Sequence, residues 1–450
     1  MVASLVADKE KKRIMYLAIL LVLLPVLAES IYSPMLPSLA TNFAVSNHLA
    51  EHTMSIYLLG TALGTLLWGN VSDAWGRRQV SLFAYGLFLL ATLACLLSQT
   101  YTVFMAGRLV QGFAGAVSCM SPCILRDVFS QKQRVEVSSV VGMVVSVAPA
   151  IGALVGGVFA LYSSWRMAFV LLLFIGVVFF LRLMSALPET CRRRHPMDWR
   201  LYQQGFLGIR TDTNLLVHAT MIGLGLGICY AFFAEGAFYF IDVLAISPHW
   251  FGLISALGAL TYALGCKIAN RVIQGGVHYI LVMQVGVLVM VTAFLGFSAL
   301  VFVHASTLST VVFSVATFSV TLTGFWVLAQ LGLSFVLTPS FALALENQSV
   351  HAGIAASLFS FAYSIVNVLV SALMAFLHDG TLFAMPLYFM VISLIMLAVF
   401  NSAYKRHWFC SSDTVDYEMF HQKALVMFGY TLAGALAVEL PVGCILLMWS

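Results

Sequence analysis

Gly69-Asn70-Val71-Ser72-Asp73-Ala74-Trp75-Gly76-Arg77-Arg78-Gln79 is a short charged turn between two apolar runs, in a chain otherwise almost free of charge. Lipid solvates neither ions nor bare backbone, so the turn must lie in water and join two membrane helices. Its residue types fit that task. Gly69 lets two helices approach, Asp73 suits a helix end, Gly76 permits a tight reversal, and Arg77 and Arg78 mark the cytoplasmic side.

The rest of the chain agrees. Of its residues 61% are hydrophobic and 9% charged, against about 25% charged in a soluble domain. The composition predicts an all-α polytopic membrane protein. Apolar stretches long enough to span a bilayer recur at 14–38, 50–70, 80–98, 102–125, 136–160, 165–187, 214–241, 249–270, 278–302, 318–345, 352–376 and 382–402. With the N-terminus inside, 20 of the 22 Lys and Arg residues fall in or beside cytoplasmic loops, with Arg166 outside and Arg108 within a span. That asymmetry predicts a cytoplasmic N-terminus. Val26-Leu27-Ala28 imitates a signal-peptidase site, but the apolar run continues to Leu36, so this helix is expected to remain.

The longest polar stretch, carrying Arg192, Arg193, Arg194, Pro196, Asp198 and Trp199, follows the sixth span. It divides the chain into a first half at 1–190, a central cytoplasmic loop at 191–213 and a second half at 214–403, two pseudo-symmetric six-helix bundles. The halves share a short echo: Ala28-Glu29 against Ala234-Glu235, then Val45-Ser46 against Ile246-Ser247, then helices with Gly60 and Gly64 against Gly258 and Gly265. Residues 404–450 form a polar linker and an apolar tail whose run 424–448, with Glu439 and Pro441, is expected to cross as a thirteenth helix or to insert part-way. Residues 303–317 are longer than a simple turn needs. The eight cysteines form no C-x-x-C pair, so no metal site or disulfide frame is expected.

Ionisable groups inside spans are costly, about 3 kcal/mol at mid-helix, and they mark ion or substrate paths. The clear cases are Glu29, Arg108 and Glu235. A carboxyl held away from water can bind and release a proton, and the echo predicts that Glu29 and Glu235 converge on a central cavity. Arg108, Gln111, Gly112 and Gly115 share one helix face, so a buried arginine runs beside a polar partner and two small residues. Pro149, Gly152 and Gly156 combine a missing helix hydrogen bond with a small-residue surface suited to a hinge. Tyr32, Tyr230, Phe233, Tyr239, Tyr262, Trp326, Gln330, Tyr363 and Asn367 are expected to line the cavity, an aromatic environment suited to lipophilic cations. There is no G-x-x-x-x-G-K-[ST], H-E-x-x-H or G-x-S-x-G sequence and no arginine ladder, which argues against an ATP motor, these enzyme classes and a voltage sensor.

The turn at 69–79 closely resembles the G-x-L-A-D-R-x-G-R-K/R loop between helices 2 and 3 of the major facilitator superfamily, with Val71, Ser72 and Ala74 as departures. Arg108-Leu-Val-Gln111-Gly112 resembles R-x-x-Q-G of the drug:proton antiporters, where the arginine is implicated in proton transfer. Ala148-Pro149-Ala-Ile-Gly152 with Gly156-Gly157 resembles their helix 5 pattern G-x-x-x-G-P-x-x-G-G. Tyr32-Ser-Pro34-Met-Leu-Pro37, Leu125-Arg126-Asp127, Trp165-Arg166, Leu187-Pro188-Glu189-Thr190 and Leu377-His378-Asp379-Gly380 resemble the Bcr/CflA branch, whose members often carry Asp where this chain has Ser30. The resemblance implies a twelve-span, proton-coupled exporter of drug-like or amphipathic small molecules in a bacterial inner membrane. It further implies no cofactor beyond the proton gradient, no nucleic-acid partner and a monomer. Gly69, Asp73, Gly76, Arg77 and Arg78 would form the cytoplasmic gate, and Glu29, Arg108, Gln111 and Glu235 would couple protons. A dedicated metabolite or siderophore transporter, or a non-transporting receptor or sensor, remains compatible with these residues.

Overall fold

The computed structural model describes residues 2–191, 206–207, 210, 212–306, 315–344 and 352–406. The tail run 424–448 and most of the central loop lie outside the described residues. Among those described, 12 helices are long and apolar enough to cross a membrane. They are α1 (Lys9–Phe43), α2 (Asn47–Trp75), α3 (Arg77–Leu97), α4 (Tyr101–Val128), α5 (Val140–Tyr162), α6 (Arg166–Ala186), α7 (Thr213–Val243), α8 (Pro248–Gln274), α9 (Tyr279–Ser306), α10 (Val315–Leu343), α11 (Ala355–Leu377) and α12 (Ala384–Lys405). Their outer surface carries many exposed large apolar side chains, among them Leu90, Phe174, Phe302 and Leu369. Such a belt is expected where the solvent is lipid.

Caps set the helix starts. The Ser46 hydroxyl accepts from the backbone N–H of Leu49 at 3.3 Å, Thr100 from Val103 at 3.4 Å, and Asp212 from Leu215 at 3.1 Å. Gly76 turns the chain between α2 and α3 at φ 106°, which an L side chain rarely adopts. Three helices are irregular near their functional residues. α1 leaves the α-helix after Ser30 and passes through a 3₁₀ turn at Ser33–Met35; α4 tightens at Ala116–Cys119; α7 widens into a π-turn at Phe238–Val243. Such breaks free backbone groups and are tolerated at membrane depth only within protein or beside a cavity.

The two halves show their relation in the backbone. Ala44 and Ala245, each just before the echoed Val45-Ser46 and Ile246-Ser247, are the two non-glycine residues with positive φ among those described, at 51° and 54°. Ser46 and Ser247 then occupy the N-cap positions of α2 and α8. Aligning the halves on these alanines changes the expected match of the two acids. Glu29 stands fifteen residues before Ala44, and its counterpart fifteen residues before Ala245 is Tyr230. Glu235 is five residues further along, about 7.5 Å at a helical rise of 1.5 Å per residue.

Between the halves, α5 packs along α8 and α2 along α11. On the face away from Arg77 these contacts are tight. A Cβ on Gly252 would come within 2.5 Å of the Ala153 carbonyl oxygen, and one on Gly157 within 2.8 Å of the Pro248 carbonyl oxygen. A ring nitrogen of His48 lies 2.6 Å from the Ala375 carbonyl oxygen, Ser55 and Ser371 hydroxyls are 3.3 Å apart, and Ser33 donates to the Phe233 carbonyl. This face is closed.

Candidate functional site: a cavity between the halves

Glu29 lies on the last helical turn of α1 before its break, a position that directs it between the halves. There its Oε2 accepts a 2.6 Å hydrogen bond from the hydroxyl of Tyr230, the pseudo-symmetric residue of α7. Both line a cavity of about 280 Å³. The first half also contributes Ser30, Ser146 and Pro149; the second contributes Phe233, Tyr262, Trp326, Gln330 and Tyr363. Phe232 stacks on Trp326 at 3.5 Å between ring centroids and 10° between planes, which holds the indole in place. Cys229, Ser255 and Phe341 line the cavity as well and were not anticipated from the sequence.

The cavity continues toward the basic face. A wider space of about 710 Å³ shares Val145, Ser146, Tyr262, Phe341 and Tyr363 with it and reaches Lys267, Asn270, Thr65 and Ser118. One face between the halves is thus closed and the opposite one hollow.

Three residues expected in the wall lie elsewhere. Tyr32, on the broken part of α1, packs its ring against Arg108. Tyr239 is buried in an aromatic cluster with Phe240 and Phe297. Asn367 on α11 is buried and absent from the lining. Arg108 and Gln111 also stand behind the wall. The guanidinium sits 4.2 Å from the ring centroids of both Tyr32 and Tyr57, and its Nη1 donates to Gln111 Oε1 at 2.6 Å and to the Ala28 carbonyl at 3.5 Å. Gln111 in turn donates to Thr92 at 2.8 Å. Nε and Nη2 of Arg108 are buried without a hydrogen-bond partner, and no salt bridge to Glu29 occurs among the described residues. Two aromatic faces add to the stabilisation of this cation, about 2 kcal/mol or more each when desolvated. Its nearest backbone acceptor, Ala28, is the residue before Glu29, so movement of the α1 break would reach both groups.

Glu235 lies outside the cavity, as its five-residue offset requires. It meets His378, whose Nδ1 is 2.7 Å from Glu235 Oε2 and 2.9 Å from Glu51 Oε1. Burial disfavours the His378 imidazolium, but Glu235 and Glu51 outweigh it through hydrogen bonding and charge and raise the imidazole to about 10. Glu51, at the start of α2, is fully buried, and sequence position alone marks it only as an interfacial acid.

At the basic face, Arg77 pairs with Asp73 one turn back, with Asp127 at 3.4 Å, and with the Ser72 hydroxyl. The Glu189 carboxylate accepts from the backbone N–H groups of Arg77 and Arg78, at 2.9 and 3.3 Å, at the positive end of α3. Arg78 also donates to the Leu187 and Met184 carbonyls. All these partners belong to the first half. Gly69 faces the second half, where an added Cβ would lie 2.9 Å from the Ser357 hydroxyl. The hinge candidates pack inside the first half: Gly156 against the Ile31 carbonyl and Gly152 against the Ser30 hydroxyl, so α5 grips α1 at its break, while Pro149 faces the cavity.

Comparison with known proteins agrees with this architecture. The chain is 28% identical over 374 residues to the uncharacterised MFS-type transporter YdgK of Bacillus subtilis, covering 81% of this chain and 89% of that protein. It is 26% identical over 257 residues to a bicyclomycin resistance protein homolog of Haemophilus influenzae, covering 56% and 64%. Its fold is similar to that of the xylose transporter XylE from E. coli in a partially occluded inward-open conformation, with a TM-score of 0.68, 14% identity, and 87% of this chain and 97% of that one covered. Residues 18–330 match the family model for the Major Facilitator Superfamily. The chain is an integral membrane transporter and belongs to the Major Facilitator Superfamily.

Proposed function

We propose that this transporter exports drug-like or amphipathic small molecules, lipophilic cations among them, in exchange for protons. One observation carries the reading: a carboxyl, Glu29, held by Tyr230 of the opposite half in an aromatic cavity between the halves. A proton and a cation compete for one carboxylate, so binding one favours release of the other, and alternating exposure converts that competition into exchange. Aromatic faces at Tyr230, Phe233, Tyr262, Trp326 and Tyr363 supply contact for a lipophilic cation without fixing its shape. The resemblance to a bicyclomycin resistance protein homolog supports the export of drug-like compounds. In this reading the membrane is a bacterial inner membrane, the Arg77 face is cytoplasmic, and the structure is the inward-facing state.

Ethidium accumulation in cells with and without the protein tests the proposal. Expressing cells should hold less dye, and a protonophore should erase the difference; equal accumulation across a panel of lipophilic cations would turn the reading to a narrow metabolite exporter.

The cytoplasmic cluster yields a second expectation. Asp73 is 43% exposed, so its pair with Arg77 contributes less than about 1 kcal/mol to stability, and Asp73→Asn should insert normally. Freed from Asp73, Arg77 retains Asp127, and the gate should close less surely when the halves rock to seal the Arg77 face. Turnover at equal expression should fall several-fold; unchanged flux would remove Asp73 from the gate.

A further inference from the structure

The closed face holds a cluster that the exchange reading does not use. Glu51 comes from α2 in the first half, Glu235 from α7 and His378 from the segment after α11 in the second. Their ligand atoms all lie within 4.8 Å of one another. Glu51 is 0% exposed, Glu235 2% and His378 9% as side chains. One ring nitrogen faces two carboxylates. It carries at most one proton, and its hydrogen bond goes to Glu235. Apart from that shared ring nitrogen the buried Glu51 oxygens have no partner, and no Lys or Arg pairs with either carboxylate among the described residues. Two buried carboxyl groups, one from each half, therefore converge on a single imidazole nitrogen, an arrangement in which one cation could serve all three donors.

We propose that Glu51, Glu235 and His378 form a binding site for one divalent transition-metal ion of the Zn²⁺ class. The donor set argues for that class. An imidazole nitrogen disfavours Mg²⁺ and Ca²⁺, which take oxygen ligands, and the absence of thiolate disfavours Cu(I). Two carboxylates and one imidazole give three protein ligands, leaving a position for water, as in open zinc sites. The ion takes the lone pair of Nδ1, and the proton held there passes to solvent. Because ligands come from both halves, the site is complete only while this face is closed. Bound metal therefore favours the closed face and slows transport. The binding claim stands apart from proton exchange and survives if the substrate or the coupling proves different.

The test is Zn²⁺ titration calorimetry on the purified full-length protein after chelator treatment. Wild type should bind one Zn²⁺ at this site. Glu51→Gln and His378→Asn should each raise its Kd by at least about 100-fold, since loss of even an outer partner of a metal ligand costs roughly 10- to 100-fold. His52→Asn is the control, because the His48 and His52 rings meet edge to face nearby, 4.7 Å between centroids, and could hold zinc adventitiously. It should leave the site intact. Glu235→Gln provides a third ligand variant should another fail to fold. Absence of stoichiometric binding to wild type, or binding that the ligand variants leave unchanged, would overturn the proposal.

Discussion

Gly252→Val should leave each half folded yet drive the protein away from the closed state on the Glu51 face. The neighbours that an added Cβ would meet at Gly252, Ala153 and Gly157, belong to the other half, so the substitution leaves the interior of each bundle alone. With the face closed, the Cβ would lie 2.5 Å from the Ala153 carbonyl oxygen and 3.3 Å from the Gly157 Cα, and the valine methyls have no room. Overpacking of this kind costs about 1–3 kcal/mol, which corresponds to a roughly 5- to 150-fold shift in a two-state balance. Spin labels at the exposed Gln99 and Thr381, one in each half, should report a longer distance in the variant than in wild type. Turnover should fall by up to the same factor. An unchanged distance distribution in a folded variant would mean that α5 and α8 need not meet here to close the face.

Glu29→Gln should uncouple transport from the proton gradient. Glutamine keeps the volume and can still accept the Tyr230 hydroxyl through its amide oxygen, so the cavity wall should survive. What it cannot do is exchange a proton. Gradient-driven flux should drop on the order of 100-fold, the low end of what a positioned proton-transfer group contributes. Downhill exchange of substrate for substrate should persist, and its rate should lose its dependence on pH. Pairing the variant with Tyr230→Phe separates the carboxyl from its holder: removing only the Tyr230 hydroxyl would leave Glu29 titratable but less well placed, so coupling should weaken rather than vanish. A pH profile unchanged by Glu29→Gln would place the coupling group elsewhere.

How much of this was legible in the chain follows from the range of each signal. The spans and the turn at 69–79 were readable because lipid imposes its demand locally, residue by residue. The central cavity was partly readable, since Tyr230, Phe233, Tyr262, Trp326, Gln330 and Tyr363 line it as expected. Tyr32 was misplaced because the helix breaks after Ser30, and no periodic pattern shows how a side chain turns beyond a break. The dipeptide echo of Ala28-Glu29 and Ala234-Glu235 misled in the same way. The true register is set by Ala44 and Ala245, which put Tyr230 opposite Glu29 and carry Glu235 to the closed face. Glu51 and His378 belong to different halves, and no local pattern announces a contact at that range. The Ala44-Val45-Ser46 and Ala245-Ile246-Ser247 pair would have given the register, had backbone handedness been considered beside residue identity.

Proton exchange is the central claim, and liposomes give it the most direct test. Purified protein in vesicles made acidic inside would face an outward proton gradient, which releases about 1.4 kcal/mol per pH unit and about 2.3 kcal/mol per 100 mV. Tetraphenylphosphonium supplied outside should then accumulate inside, faster than in vesicles without a gradient, and the Glu29→Gln protein should abolish the difference. Accumulation that ignores the gradient in the wild-type protein, or that survives in Glu29→Gln, would contradict the account.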